Sequence, residues 1–144
     1  MMNRILLILS IIVFAGNSSC TQKAKSAEVY TTNSQEITVA RNVDTKVFNS
    51  FLKEKKTAVL IDVRTPQEVA QGYIEGARNI DINSQDFRPK VEKLDKTQPV
   101  LVYCRSGRRS EAAMRYMQDQ GFSEVYNLNG GILAWSQAGL PIVK

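Results

Sequence analysis

The chain has no histidine among its 144 residues. That excludes Ser-His-Asp and Cys-His catalysis, in which an imidazole carries the proton, and it excludes histidine-based metal sites. Cysteine is nearly as scarce, with only Cys20 and Cys104. A CxxC redox pair and a four-cysteine zinc site are both impossible. Charge of one sign is not concentrated either. Lys and Arg number 19 against 14 Asp and Glu, for a net charge of +5, and the basic residues are scattered apart from Arg105, Arg108 and Arg109. That is no nucleic-acid footprint; a small anionic substrate suits the arginine cluster better. No apolar run is long enough for a stable membrane span. The longest, Ile5 to Ala15, is broken by Ser10 and is too short and wrongly flanked.

What remains is the composition of an ordinary globular protein, 43% hydrophobic and 23% charged, with length for one domain and a real core. The first residues read as an export signal. Arg4 supplies the positive n-region, the apolar run follows, and Gly16-Asn17-Ser18-Ser19 leads to Cys20. This resembles a bacterial lipoprotein signal, although Asn17 stands where that pattern usually has an aliphatic residue. The resemblance implies a signal over residues 1–19, lipidation of Cys20 and an exported protein of the periplasm or cell envelope, held at a membrane by its acyl chains. The alternative is an ordinary secretory signal in which Cys20 is incidental. If Cys20 is consumed as a thioether, Cys104 is the one free thiol, with no resolving partner in the chain. Residues 20–35 are polar and without periodicity and read as a flexible tether of roughly 20 Å mean span.

Residues 36–144 form the folded domain. Ile37-Thr38-Val39 reads as a short strand. Val43, Val47, Phe48, Phe51 and Leu52 recur at helical spacing, which predicts an amphipathic helix over Asn42 to Lys55. Ala58 to Val63 is a continuous apolar strand with Asp62 near its end. Thr65 is an N-cap and Pro66 a helix start. Gly72 and Gly76 punctuate a loop before a short strand over Ala77 to Ile80. Val91 and Leu94 mark a helix ahead of Pro99, and Pro99 to Cys104 is a second continuous strand. Ala112, Ala113, Tyr116 and Met117 give one face of the next helix, which Gly121 ends. Val125 to Leu128 is a last strand, and Gly130-Gly131 opens a short helix carrying Trp135. Continuous apolar strands alternating with helices predict an α/β fold, a central parallel sheet of about five strands covered by helices on both faces. Ligands in such folds sit at the carboxyl ends of the strands, where Asp62 and Cys104 lie.

Cys104 is followed by Arg105, Ser106, Gly107, Arg108, Arg109 and Ser110. A thiol at a strand-to-helix junction faces unpaired N–H groups and the positive end of a helix dipole. Arginine adds full charge, so the cysteine should be partly thiolate at neutral pH. Gly107 lets the loop curl, Arg105 and Arg108 are the candidates to face an anion, and Arg109 divides between charge and structure.

Four segments together carry a family resemblance. They are Leu60-Ile61-Asp62-Val63-Arg64 with Glu68, Gly72 through Ile80, Cys104 through Ser110, and Asn127 through Trp135. In this order they resemble the rhodanese-like domain, over about Ile37 to Pro141. Tyr73 stands where the family usually has histidine, at a position expected to be structural. The resemblance implies sulfur transfer through a persulfide on Cys104. The donor would be a small anion such as thiosulfate and the acceptor cyanide or a thiol, with Arg105 to Arg109 binding substrate, Asp62, Arg64 and Glu68 supporting the loop, and no metal or cofactor. Two alternatives stay open. One is a non-catalytic binding or sulfur-carrier module. The other is a cysteine phosphatase or arsenate reductase, but those loops place arginine after five intervening residues, where this chain has Ser110; Arg109 comes one residue early.

Overall fold

The structure, a computed structural model, describes residues 38–144. The expected signal segment, Cys20 and the tether lie outside the described residues. Five strands and five helices alternate: β1 Val39–Val43, α1 Thr45–Glu54, β2 Val59–Asp62, α2 Pro66–Val69, β3 Arg78–Asn79, α3 Phe87–Glu92, β4 Val100–Tyr103, α4 Arg108–Asp119, β5 Glu124–Leu128 and α5 Gly131–Gln137. The strands form one sheet in the order β1-β5-β4-β2-β3, and every pair is parallel. This is the expected five-stranded α/β architecture.

Both faces of the sheet are covered, because a strand's side chains alternate between them. Val100, Val102 and Cys104 join a core closed by Phe87 and Val91 of α3 and Ala113, Met114 and Met117 of α4. Leu101 and Tyr103 join the opposite core, closed by Phe48 of α1 and Ile132 and Trp135 of α5. All four residues of β4 are buried, and only its end, where Cys104 follows, meets the functional edge. With both faces buried, continuous apolar runs are what the central strands require.

The chain departs from its local pattern at β1. A strand was expected over residues 37–39 and a helix from Asn42. Instead β1 runs through Val43, and α1 starts at Thr45. Two effects decide this. Each residue from Val39 to Val43 pairs with β5, ending at Val43 opposite Leu128. The Asp44 carboxylate then accepts the Val47 N–H at 2.9 Å and caps the helix, which starts at Thr45, three residues after Asn42. Val47, expected on the apolar face, is correspondingly exposed. The α2 start follows its sequence signals: Pro66 at N1, the Thr65 hydroxyl accepting the Glu68 N–H, and the Glu68 carboxylate accepting the Thr65 N–H, a reciprocal capping box.

Candidate active site

The loop Cys104–Ser110 joins the end of β4 to α4 at the carboxyl edge of the sheet, between β2 and β5. Gly107 turns it with φ of +93°, a conformation that disfavours any side chain. A Cβ there would also meet the Gly130 nitrogen at 3.0 Å and the Leu128 carbonyl oxygen at 3.1 Å.

Three of the loop's carbonyls have hydrogen-bond partners. The Cys104 carbonyl accepts the Ile132 N–H at 2.9 Å and the Arg105 carbonyl accepts the Leu133 N–H at 3.2 Å, so the start of α5 is fastened along the loop. The Gly107 carbonyl accepts from the Glu111 N–H at 2.9 Å, from Ser110 Oγ at 3.0 Å and from Asn127 Nδ2 at 3.1 Å. The Gly107 N–H donates to Cys104 Sγ at 3.2 Å. Burial opposes ionisation of the thiol, which is 1% exposed. The Ser110 hydroxyl and the N–H groups of Ser110, Ser106 and Gly107 together outweigh that burial, and the pKa of Cys104 falls below its ordinary value. Hydrogen bonds to the charged form, more than a neighbouring cation, therefore favour the thiolate.

The arginines divide their roles. Arg109 forms a bidentate pair with Glu68, at 2.8 and 2.6 Å. Its guanidinium also stands close enough to Cys104 for the thiolate to contribute to raising its pKa, after the larger effect of Glu68. The same pair holds the Glu68 carboxyl down at about 2. Arg105 is exposed and lines a cleft beside the loop with Arg64, Glu68 and Leu133. Arg108 lines a separate depression on α4 with Glu111 and Arg115. Arg105 and Arg108 thus do not share one cleft.

Asp62, Arg64 and Glu68 are brought together beneath the cleft. The buried Arg64 guanidinium binds both Asp62 oxygens, at 2.6 to 3.0 Å, and donates to the carbonyls of Gly72 at 2.8 Å and Glu68 at 3.2 Å. Asn79 Nδ2 ties the carbonyls of Asp62 and Arg64, at 2.9 and 2.8 Å. Tyr73 acts through its backbone, exchanging hydrogen bonds with Val143 at 2.8 and 2.9 Å. Two residues of the site escaped the sequence reading. Ser110 closes the loop motif, and its hydroxyl, which donates to the Gly107 carbonyl at 3.0 Å, also helps to hold the Cys104 pKa down. Asn127 holds the Gly107 carbonyl; its signal was a lone amide in the otherwise apolar Val125 to Leu128.

The rhodanese-like domain family matches residues 44–138 of this chain. It belongs to the rhodanese-like family. A sulfurtransferase of Allochromatium vinosum is 38% identical over 105 residues, covering 73% of this chain and 96% of that protein. The thiosulfate sulfurtransferase GlpE of Pseudomonas putida is 42% identical over 85 residues, covering 58% of this chain and 74% of that protein. Among solved structures, a rhodanese-related protein of Thermoplasma volcanium superposes with a TM-score of 0.63 at 30% identity, covering 72% of this chain and 97% of that one. The polysulfide-sulfur transferase of Wolinella succinogenes superposes at 0.61 with 29% identity, covering 74% and 78%. As a rhodanese-like domain, this chain carries Cys104 and the loop around it in the place its motif predicts, at the end of the central strand.

Proposed function

We propose that this rhodanese-like protein is a sulfurtransferase that carries sulfane sulfur as a persulfide on Cys104. The observation that carries the reading is the thiol itself, buried in a loop whose amide hydrogens and Ser110 hydroxyl favour its thiolate. Sulfur transfer needs a group that is both nucleophile and leaving group, and a thiolate of lowered pKa is both without a general base. That fits a chain with no histidine.

In the first half-reaction the Cys104 thiolate attacks the outer sulfur of thiosulfate. A bond forms between Sγ and that sulfur, the sulfur–sulfur bond of thiosulfate breaks, and sulfite leaves with the electron pair. The persulfide so formed is anionic, and the same N–H groups solvate its terminal sulfur. In the second, cyanide or a thiolate attacks the terminal sulfur, and the electron pair of the breaking bond returns to Sγ. Arg109, bound to Glu68, supplies positive charge at a fixed position while the substrate comes and goes. The same pairing weighs against a phosphatase or arsenate reductase, which needs an arginine free to wrap a tetrahedral oxyanion. The reading includes an exported protein anchored through a lipidated Cys20, supported by the Arg4 n-region, the apolar run and the small residues before Cys20.

Intact mass tests both parts on protein isolated from the membrane fraction of a bacterial host. Thiosulfate should add one sulfur atom, cyanide should remove it, and Cys104→Ser should show neither change. No adduct with any sulfane donor would replace the enzyme with a binding module, and turnover of an aryl phosphate would restore the phosphatase reading. The same spectrum should carry acyl mass that Cys20→Ala lacks; its persistence in that variant would refute the anchor.

A further inference from the structure

The Gly107 carbonyl has more donors than it can hold. A carbonyl oxygen carries two lone pairs, and three donors point at this one: the Glu111 N–H at 2.9 Å, Ser110 Oγ at 3.0 Å and Asn127 Nδ2 at 3.1 Å. Two of the three are fixed. The Glu111 N–H makes the first hydrogen bond of α4. Asn127 is held from its other side, because Nδ2 also donates to Asn42 Oδ1 at 2.7 Å. Only the Ser110 hydroxyl is free to rotate, and it has the sulfur of Cys104 as a second acceptor. Asn127 is poorly served by its own surroundings. It is 2% exposed, and its Oδ1 accepts no hydrogen bond among the described residues. A buried acceptor left unpaired is unfavourable. The Gly107 carbonyl can only accept, so the amide turns Nδ2 towards it, and Oδ1 is stranded as a result. Its neighbours in β5, Val125, Tyr126 and Leu128, are buried members of the two cores. An apolar side chain at 127 would continue that pattern; what the amide supplies is the donor.

Building on the sulfurtransferase reading, we infer that Asn127 is a positioning residue for sulfur loading: by saturating the Gly107 carbonyl it releases the Ser110 hydroxyl to Cys104 Sγ as negative charge forms there. Beside the neutral thiol the hydroxyl stays on the carbonyl. Beside the thiolate it rotates to sulfur, its proton remaining on Oγ, and the carbonyl keeps two donors. Asn127 acts through Ser110, since its own hydrogen bonds go to Asn42 and Gly107. The charged groups on the elements around Cys104 have other partners. Arg109 is held by Glu68 of α2, Arg64 by Asp62 and Glu111 by Arg115. On α3, Lys90 pairs with Asp86, and Arg88 and Glu92 meet Tyr116. β5 carries only Glu124, at its far end and paired with Lys55, and α5 carries none. Arg105 and Arg108 are exposed. None of these partners is residue 127, so a change in the titration of Cys104 in an Asn127 variant reports the hydroxyl.

The test follows the rate of persulfide formation from thiosulfate against pH, read by intact mass, in the full chain and in Asn127→Leu, Ser110→Ala and the double variant. Leucine is close to asparagine in size and has no donor. In Asn127→Leu a lone pair of the Gly107 carbonyl is open, the hydroxyl stays on it, and the midpoint of the profile should move to higher pH, in the same direction as in Ser110→Ala. In the Ser110→Ala background, Asn127→Leu should move the midpoint no further, because the two residues act in one hydrogen-bond network and their effects do not add. Asn42→Ala, at an exposed position, loosens the amide without opening the core and should move the midpoint the same way by less; it decides the matter if Asn127→Leu does not fold. An unchanged midpoint, a rate lowered equally at every pH, or shifts that add in the double variant would overturn the inference while sulfur loading stands. If the native protein takes up no sulfur at any pH, the sulfurtransferase reading falls and this inference with it.

Discussion

The Cys104 pKa is held down by hydrogen-bond donors, and Ser110 is the one whose removal leaves the backbone untouched. Its hydroxyl reaches both the Gly107 carbonyl, at 3.0 Å, and the sulfur. One hydrogen cannot serve both acceptors, and an anionic sulfur is the stronger claimant. A hydrogen bond to a charged group contributes about 1.5–3 kcal/mol, so Ser110→Ala should raise the Cys104 pKa. The rate of persulfide formation from thiosulfate should climb with pH to a plateau as the thiolate forms. In Ser110→Ala the midpoint should move to higher pH, with the two proteins converging at high pH. A rate lowered equally at every pH would mean that the hydroxyl shapes the loop and does not stabilise its charge. Arg109 is a different case. Glu68 holds both of its terminal nitrogens, so its contribution at the sulfur is a charge fixed in place.

At the scale of elements, the loop depends on α5 being pressed against it, and Gly131 makes that contact possible. Its φ is +59°, and a Cβ would fall on the Cys104 carbonyl oxygen and within 2.6 Å of the Arg105 carbonyl group. That obstacle is backbone and cannot rotate away. Overpacking of this kind costs about 1–3 kcal/mol and a left-handed non-glycine residue about 1–2 more. Gly131→Ala should therefore lower the melting temperature by about 10 °C or more and slow persulfide formation, because the Cys104 and Arg105 carbonyls lose their N–H partners. Gly139→Ala, past the other end of α5 with no atom within 4 Å of its Cβ position, should cost backbone strain alone and leave the rate intact. Equal effects of the two would show that strain, not contact with the loop, is what matters. Such contacts also mark how far the sequence can be read. The central strands, the Thr65 N-cap with Pro66 after it and the cysteine at a strand end rest on local patterns, and all are where those patterns put them. β1 is otherwise. Val39-Ala40-Arg41-Asn42-Val43 has little strand character of its own, and it is extended because β5, some 85 residues on, pairs with it. Arg41 and Asn42 are tolerated because this is an edge strand and they are exposed. The roles of Ser110 and Asn127 are hidden for the same reason, since each is defined by where α4 and β5 pack around the loop.

For the whole domain, the pair between Glu68 and Arg109 links the β2–α2 junction to the β4–α4 junction, across 41 residues of chain, and makes stability depend on acid. The Arg109 guanidinium holds the folded-state carboxyl at about 2, against an ordinary value of 4.5. A carboxyl depressed by folding stabilises fully above its ordinary pKa and loses that contribution as pH falls towards the folded value. The loss therefore lies between about pH 4.5 and pH 2. Both side chains are about a quarter exposed, so solvent screens the pair and its contribution is about 1 kcal/mol. Glu68→Gln isolates it, because glutamine at N3 still completes the capping box with Thr65 while the charge is gone. All other carboxylates titrate alike in the two proteins, so the difference between their melting temperatures reports this pair. That difference should be about 4–8 °C near neutrality for a domain of this size and should close as pH falls from 4.5 towards 2. A gap that persists to pH 2 would assign the loss to the packing of glutamine. A gap that closes together with the salt-induced weakening expected of a partly exposed pair would fix electrostatics as the force joining the two junctions that frame the thiol.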